Sequence, residues 1–183
     1  MLKSYDKQEA EYKYMIFTLP NLDDSKKYHL KQSYFEKNEE TLKIIKDVFQ
    51  YKLNDELLKS INTFRIREIT TDSIKYVLTL KTKGINTRME YEEEVSSNIG
   101  KYLINHSYKT IIKNRYVVSS HNYKFEFDEY LNLCSPLLTV EVETDINKKN
   151  QENIEKILKN YFKLDFVDIT NEKKYKNKYL LTK

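Results

Sequence analysis

Hydrophobic and polar residues alternate one by one along eight stretches of the chain, at about residues 8–18, 27–36, 62–70, 73–83, 87–95, 110–119, 122–130 and 137–145. In an extended chain successive side chains point to opposite faces, so each stretch predicts a strand with one apolar and one polar face. Three other stretches space their apolar residues by three and four: Leu42, Ile45, Phe49, Leu53 and Leu57; Ile99, Leu103 and His106; Ile154, Ile157, Leu158, Tyr161 and Phe162. That spacing predicts amphipathic helices, the first of them a long one within residues 38–60. Asn38 ahead of Glu39 and Glu40, and Ser96 or Ser97, are start signals, because their side chains can accept from free backbone donors at a helix N-terminus.

The links TTDS (70–73) and SSHN (119–122) are too short for a parallel crossover, so the strands they join are antiparallel hairpins. Eight antiparallel strands can remove their unpaired edges by closing on themselves. The expectation is an α+β fold: an eight-stranded antiparallel β-barrel with helices packed outside and at one end. No change in composition marks a boundary, so residues 1–183 are read as a single domain.

Charges then fall on one face of these strands, two residues apart. The first strand has Glu9, Glu11 and Lys13; the third has Arg65 and Arg67; the next two have Lys81 and Lys83, then Arg88, Glu90 and Glu92. Lys113 with Arg115, Glu126 with Asp128, and Glu141 with Glu143 continue the series. Any one pair is adequately explained by a solvated outer face. The opposite face, however, carries Phe64, Ile66, Leu78, Leu80, Val140 and Val142, as needed to pack under helices. The charged rows are therefore expected to line a lumen. Positive and negative groups confined together cost several kcal/mol each if unpaired, and a ligand that resolves this is itself mixed. A polyphosphate with a divalent cation qualifies, since Arg and Lys hold phosphate oxygens and carboxylates hold hard cations.

Overall composition narrows the partners. With 32 basic and 28 acidic side chains the net charge is only +4, so no general field recruits nucleic acid or an anionic membrane. A single cysteine, Cys134, excludes an intramolecular disulfide and a multi-cysteine metal site. It is expected as a small buried hydrophobe in a reducing compartment. MLKSYDKQEAEYKYM lacks the apolar core of a signal peptide, and no apolar run approaches the ~20 residues of a membrane span, so a cytoplasmic location is expected. Sixteen tyrosines are expected to fill apolar faces and helix packing.

EAEYK carries an ExExK signature at Glu9, Glu11 and Lys13, and the order of KQSYF (Gln32, Tyr34), FRIR, LTLKTKG, RMEYE, KNR, EFD, VEVE and DITNEKKYKNKYL (Tyr175, Asn177) continues the pattern over almost the whole chain. In this the sequence resembles the triphosphate tunnel metalloenzymes, or CYTH family, and in motif its bacterial inorganic tripolyphosphatases. The resemblance implies Mg²⁺ or Mn²⁺ held by Glu9, Glu11, Glu141 and Glu143, with Glu90, Glu92 and Asp128 as further ligands or water-orienting groups. It implies that Lys13, Arg65, Arg67, Lys81, Lys83, Arg88, Lys113 and Arg115 grip the triphosphate, and that Glu9, Glu11, Lys81 and Glu90 serve catalysis. The implied reaction is in-line attack of water on a small-molecule triphosphate, first inorganic tripolyphosphate. A nucleoside triphosphatase, a class IV adenylate cyclase and a non-catalytic polyphosphate- or nucleotide-binding module remain as alternatives. The resemblance makes a monomer or homodimer reasonable. The helical stretch near 38–60 and the glycine-poor DEYLNLCSPLLTVEVE connection depart from the family pattern without touching the charged positions.

Overall fold

In the computed structural model, which describes residues 9–50, 53–82, 89–145 and 151–182, each alternating stretch forms a strand. These are β1 (Glu9–Ile16), β2 (Lys26–Phe35), β3 (Ile61–Thr70), β4 (Ile74–Thr82), β5 (Glu90–Val95), β6 (Ser107–Ser120), β7 (Tyr123–Tyr130) and β8 (Leu138–Asp145). A ninth, β9 (Phe166–Asp168), pairs antiparallel with β1. Among the described residues four α-helices accompany them: α1 (Glu39–Phe49), α2 (Asp55–Ser60), α3 (Ser97–Asn105) and α4 (Gln151–Asn160). The hydrogen-bonded strand order is β5-β4-β3-β2-β6-β7-β8-β1-β9. Among the described residues the sheet has nine strands, and no pairing between its first and last closes it into the expected eight-stranded barrel. The outer edge of β1 is occupied by β9 through Tyr14–Asp168, Met15–Val167 and Ile16–Phe166.

The described residues form two compact units, one within 30–110 and the other within 9–29 and 111–182. In the first, Phe64, Ile66, Tyr76, Leu78 and Leu80 of β3 and β4 bury against Ile45 and Phe49 of α1, Leu58 of α2 and Leu103 of α3. α1 begins at Asn38, whose side chain accepts from the Thr41 amide while its own amide donates to Thr41 Oγ1, both at 2.9 Å. The long helix expected over 38–60 is instead two. The backbone turns at Gln50, with φ of 44°, and Asn54 starts α2 by accepting from the Leu57 amide at 2.7 Å. At Gly100 of α3 an added Cβ would lie 2.2 Å from Cγ and Cδ1 of Tyr76, so the helix approaches β4 closer than any side-chain-bearing residue permits.

In the second unit, Tyr14, Ile16, Phe125, Phe127, Val140 and Val142 bury against Ile154, Ile157, Leu158 and Phe162, so α4 packs on the sheet's apolar face. The SSHN link turns with positive φ at both His121 (53°) and Asn122 (65°), the twist that suits a tight hairpin. Two expectations fail here. Cys134 is exposed, in a loop where its amide donates to Leu181 O at 3.3 Å and no apolar layer covers the thiol. His106 is no part of an apolar face: it is the exposed C-terminal cap of α3, stacked on Tyr102 at 4.1 Å.

Candidate functional site

Pairing register decides which charges meet. In the second unit Lys13 lies opposite Glu141 and Glu11 opposite Glu143 on β1 and β8. Glu126 lies opposite Glu141 and Lys124 opposite Glu143 on β7 and β8, and Arg115 opposite Asp128 on β6 and β7. All these side chains share the face turned away from the α4 core.

Arg115 is the hub of that face. Its Nε donates to Asp128 Oδ1 and its Nη2 to Asp128 Oδ2, each at 2.6 Å, a bidentate fork. The same guanidinium donates to Glu141 Oε2 at 2.8 Å and to Glu126. Lys113 pairs with Asp128, their side chains only 1 % and 0 % exposed, and Lys124 pairs with Glu126. Lys13 Nζ reaches Glu141 Oε1 at 2.8 Å. Every charge of this inner cluster is therefore matched by an opposite one.

The titration behaviour follows. Burial favours the neutral acid at Glu141, but Lys13, Lys113 and Arg115 outweigh it and hold the carboxyl well below the usual range. Burial likewise opposes the charge on Lys13, and Glu141, Tyr130 and Asp128 together keep its ammonium above the ordinary lysine value. At Lys113 burial wins: with Arg115 adding repulsion, its pKa is pushed down to about 8 in spite of Asp128.

The first unit carries a second charged face. Arg65 Nη2 donates to Thr79 Oγ1 at 3.0 Å and to Oε1 of both Glu90 and Glu92 at 3.1 Å. Lys81 pairs with Glu90 Oε2 at 2.7 Å. Burial raises the Glu90 pKa, but Lys81, Arg65 and Arg67 prevail and lower it. Arg65 is buried, and its Nε has no hydrogen-bond acceptor among the described residues. Gln32 and Tyr34 are bonded to each other, buried, on β2.

Of the expected site residues, Lys13, Lys113, Arg115, Asp128 and Glu141 meet on the second unit's face, with Glu11 and Glu143 exposed on the same strands. Arg65, Lys81, Glu90 and Glu92 meet on the first unit's face, where Arg67 shares the β3 row. Lys83 and Arg88 lie outside the described residues, as does the Glu9 side chain. Among the described residues no three His, Cys, Asp or Glu side chains converge as a ready-made metal cage. The donor chemistry nevertheless suits a hard cation, since Glu11 and Glu143 are exposed carboxylates directly opposite each other.

One member of the second unit's face escapes the charge pattern: Tyr130, buried between the two lysines, with its hydroxyl accepting from Lys13 Nζ at 3.3 Å. Burial raises its phenol above the usual tyrosine range. The period-two rule does place residue 130 beside 128 and 126, and that is the signal by which it could be found.

Solved structures similar to the chain include the inorganic triphosphatase NE1496, 24 % identical over 93 % of this chain and 92 % of that one, with a TM-score of 0.58. Another is HpAC1 from Hippeastrum, assigned to the adenylyl cyclases and having a dominant triphosphatase activity: 16 % identical over 86 % and 89 %, TM-score 0.57. A third, bh2851 from Bacillus halodurans, is described as an adenylate cyclase: 17 % identical over 88 % and 91 %, TM-score 0.50. No protein-family model and no curated protein sequence matches the chain. At these identities the likeness is one of fold.

Proposed function

We propose that this chain, whose fold is that of the triphosphate tunnel metalloenzymes, hydrolyses small-molecule triphosphates, with inorganic tripolyphosphate the first substrate to test. One observation carries the reading: Lys13, Lys113 and Arg115 stand side by side on one sheet face, each already held by a carboxylate. Cations kept largely out of water and pre-aimed by fixed partners suit a polyanion better than they suit solvent, because their reorganisation cost is met during folding.

Each of these cations has donors to offer phosphate oxygens, and Arg115 presents the planar fork that matches a phosphoryl group. As those oxygens enter, Glu141 gives up part of its contact with Lys13 and Arg115. Asp128, gripped by Arg115 through both oxygens and by Lys113, keeps the two cations aimed. Glu11 and Glu143, directly opposite each other, with Glu9 two residues before Glu11 in the chain and Glu141 two residues before Glu143, are the oxygen donors that would hold Mg²⁺ or Mn²⁺. When bound, the cation supplies positive charge against the phosphoryl oxygens during transfer.

On the first unit, Arg65, Arg67 and Lys81 are assigned to phosphate. Glu90 is held ionised by Lys81 and Arg65, and is the candidate to orient an attacking water. Glu92 steadies Arg65 from the adjacent position.

The test is product analysis from tripolyphosphate, ATP and GTP, side by side, with Mg²⁺, with Mn²⁺ and with chelator. Cation-dependent orthophosphate release, fastest from tripolyphosphate, supports the proposal. Pyrophosphate with cyclic AMP from ATP replaces it with a cyclase, and binding without turnover replaces it with a sensor.

A further inference from the structure

The ring of Tyr130 lies beneath two ammonium groups, with Lys13 Nζ 5.8 Å and Lys113 Nζ 5.2 Å from its centroid. Its hydroxyl accepts from Lys13 Nζ at 3.3 Å and donates to Asn177 Oδ1 at 2.6 Å. The sense of this chain is fixed by chemistry: an ammonium can only donate, so the phenol turns a lone pair to Lys13 and has one proton left, for which the Asn177 carbonyl is the acceptor. Asn177 sets the hydroxyl rotor, and the rotor sets one of the three directions in which the Lys13 ammonium is held. Glu141 Oε1 sets another. Among the described residues the third N–H of that ammonium has no hydrogen-bond acceptor.

Asn177 reaches this point from a short turn, Asn177–Tyr179, near the end of the described chain. That segment is tied down beyond the turn by an antiparallel bridge between Leu133 and Thr182. We infer that Tyr130 and Asn177 are positioning residues for Lys13, through which the docked C-terminal segment aims an ammonium group on the second unit's charged face. The consequence for substrate rests on the triphosphatase reading above; the relay itself does not. A tyrosine that only filled space would owe nothing to its hydroxyl, which is what separates the two roles.

The experiment uses the full chain labelled with ¹⁵N-lysine, comparing wild type with Tyr130→Phe, Asn177→Leu and Asn177→Asp, and with Lys13→Arg to assign the Lys13 ammonium signal. In wild type the Lys13 signal is expected to be resolved at low temperature. Tyr130→Phe and Asn177→Leu should broaden or shift it, whereas Asn177→Asp, which keeps an oxygen for the phenol proton, should restore it. In steady-state assays with tripolyphosphate and Mg²⁺, the first two variants should raise KM by about tenfold, the size of one hydrogen bond to a charged group, with a smaller change in kcat. An unaltered Lys13 signal and KM in folded Tyr130→Phe and Asn177→Leu overturn the inference. So does failure of Asn177→Asp to differ from Asn177→Leu. If wild type releases no phosphate, the proposed function falls while the ammonium spectra still decide the relay. If Tyr130→Phe does not fold, the Asn177 pair decides it.

Discussion

Replacing Arg115 by methionine removes the guanidinium while keeping much of its aliphatic volume, and so isolates its electrostatic part. Arg115 donates to three carboxylates, those of Glu126, Asp128 and Glu141. None is orphaned by the change, because Glu126 keeps Lys124, Asp128 keeps Lys113 and Glu141 keeps Lys13. The loss should therefore fall at the low end of the range for breaking a buried ion pair, about 3 kcal/mol. With a urea slope of about 2 kcal/mol/M, the unfolding midpoint at pH 7 should drop by roughly 1.5 M. The pH arm adds a sign. The depressed pKa of Glu141 contributes stability that is present above the unfolded carboxyl value and lost as pH falls through the folded one. With Arg115 gone that depression is smaller, so the gap between wild type and Arg115→Met should be smaller at pH 2 than at pH 7, the narrowing falling below the unfolded carboxyl value of about 4. Adding Asp128→Asn, which strips the buried Lys113 of its carboxylate, should deepen the loss at pH 7. Equal urea midpoints at pH 7, or a gap of the same size at both pH values, would refute the claim that this face is held by a charge hub.

Gly100→Ala forces a Cβ to within 2.2 Å of the Tyr76 ring and should cost about 2 to 3 kcal/mol through overpacking, read as a fall of roughly 5 to 10 °C in Tm; an unchanged Tm would mean that α3 can lift off β4 freely. Glu143→Gln removes one of two carboxylates that lie directly opposite each other, so thermal stabilisation by Mg²⁺ over chelator should be reduced, and an undiminished shift would remove Glu143 from the cation site. Lys113, buried with a folded pKa of about 8 against an unfolded value near 10.5, opposes folding while charged. That opposition is full below pH 8 and is relieved as pH rises toward 10.5, by up to about 3 kcal/mol. Urea unfolding at pH 7 and pH 9.5 should show wild type gaining on Lys113→Met; parallel behaviour of the two proteins would show that Lys113 does not titrate early.

The charged face was legible because its rule is local: a period of two fixes which residues share a face, and the matching apolar rows of Phe64, Ile66, Val140 and Val142 fix which face is buried. Alternation says nothing about which strands become neighbours. That Lys13 meets Glu141, and that Arg115 gathers three carboxylates, follows from long-range register. The break at Gln50 was hidden because Leu42, Ile45, Phe49, Leu53 and Leu57 keep helical spacing across it, and only the Asn54 cap marks the restart. β9 has three residues, too few for any period to show. Tyr130 was passed over because tyrosine reads as a core residue, and its polar end matters only once Lys13 and Asn177 are seen around it.

The pairing of β1 with β8 has a consequence for the order in which the molecule is made. β1 leaves the ribosome well before β8, yet β8 is the strand against which Tyr14 and Ile16 are sealed and which carries the partner of Lys13. At the usual pace of translation that delay is roughly 10 s, far longer than hairpin closure takes. β3 and β4, joined by a short turn, can pair within that interval. The chain is thus expected to emerge with its middle hairpin formed and its first strand waiting, which makes β1 the segment most exposed to chaperones during synthesis.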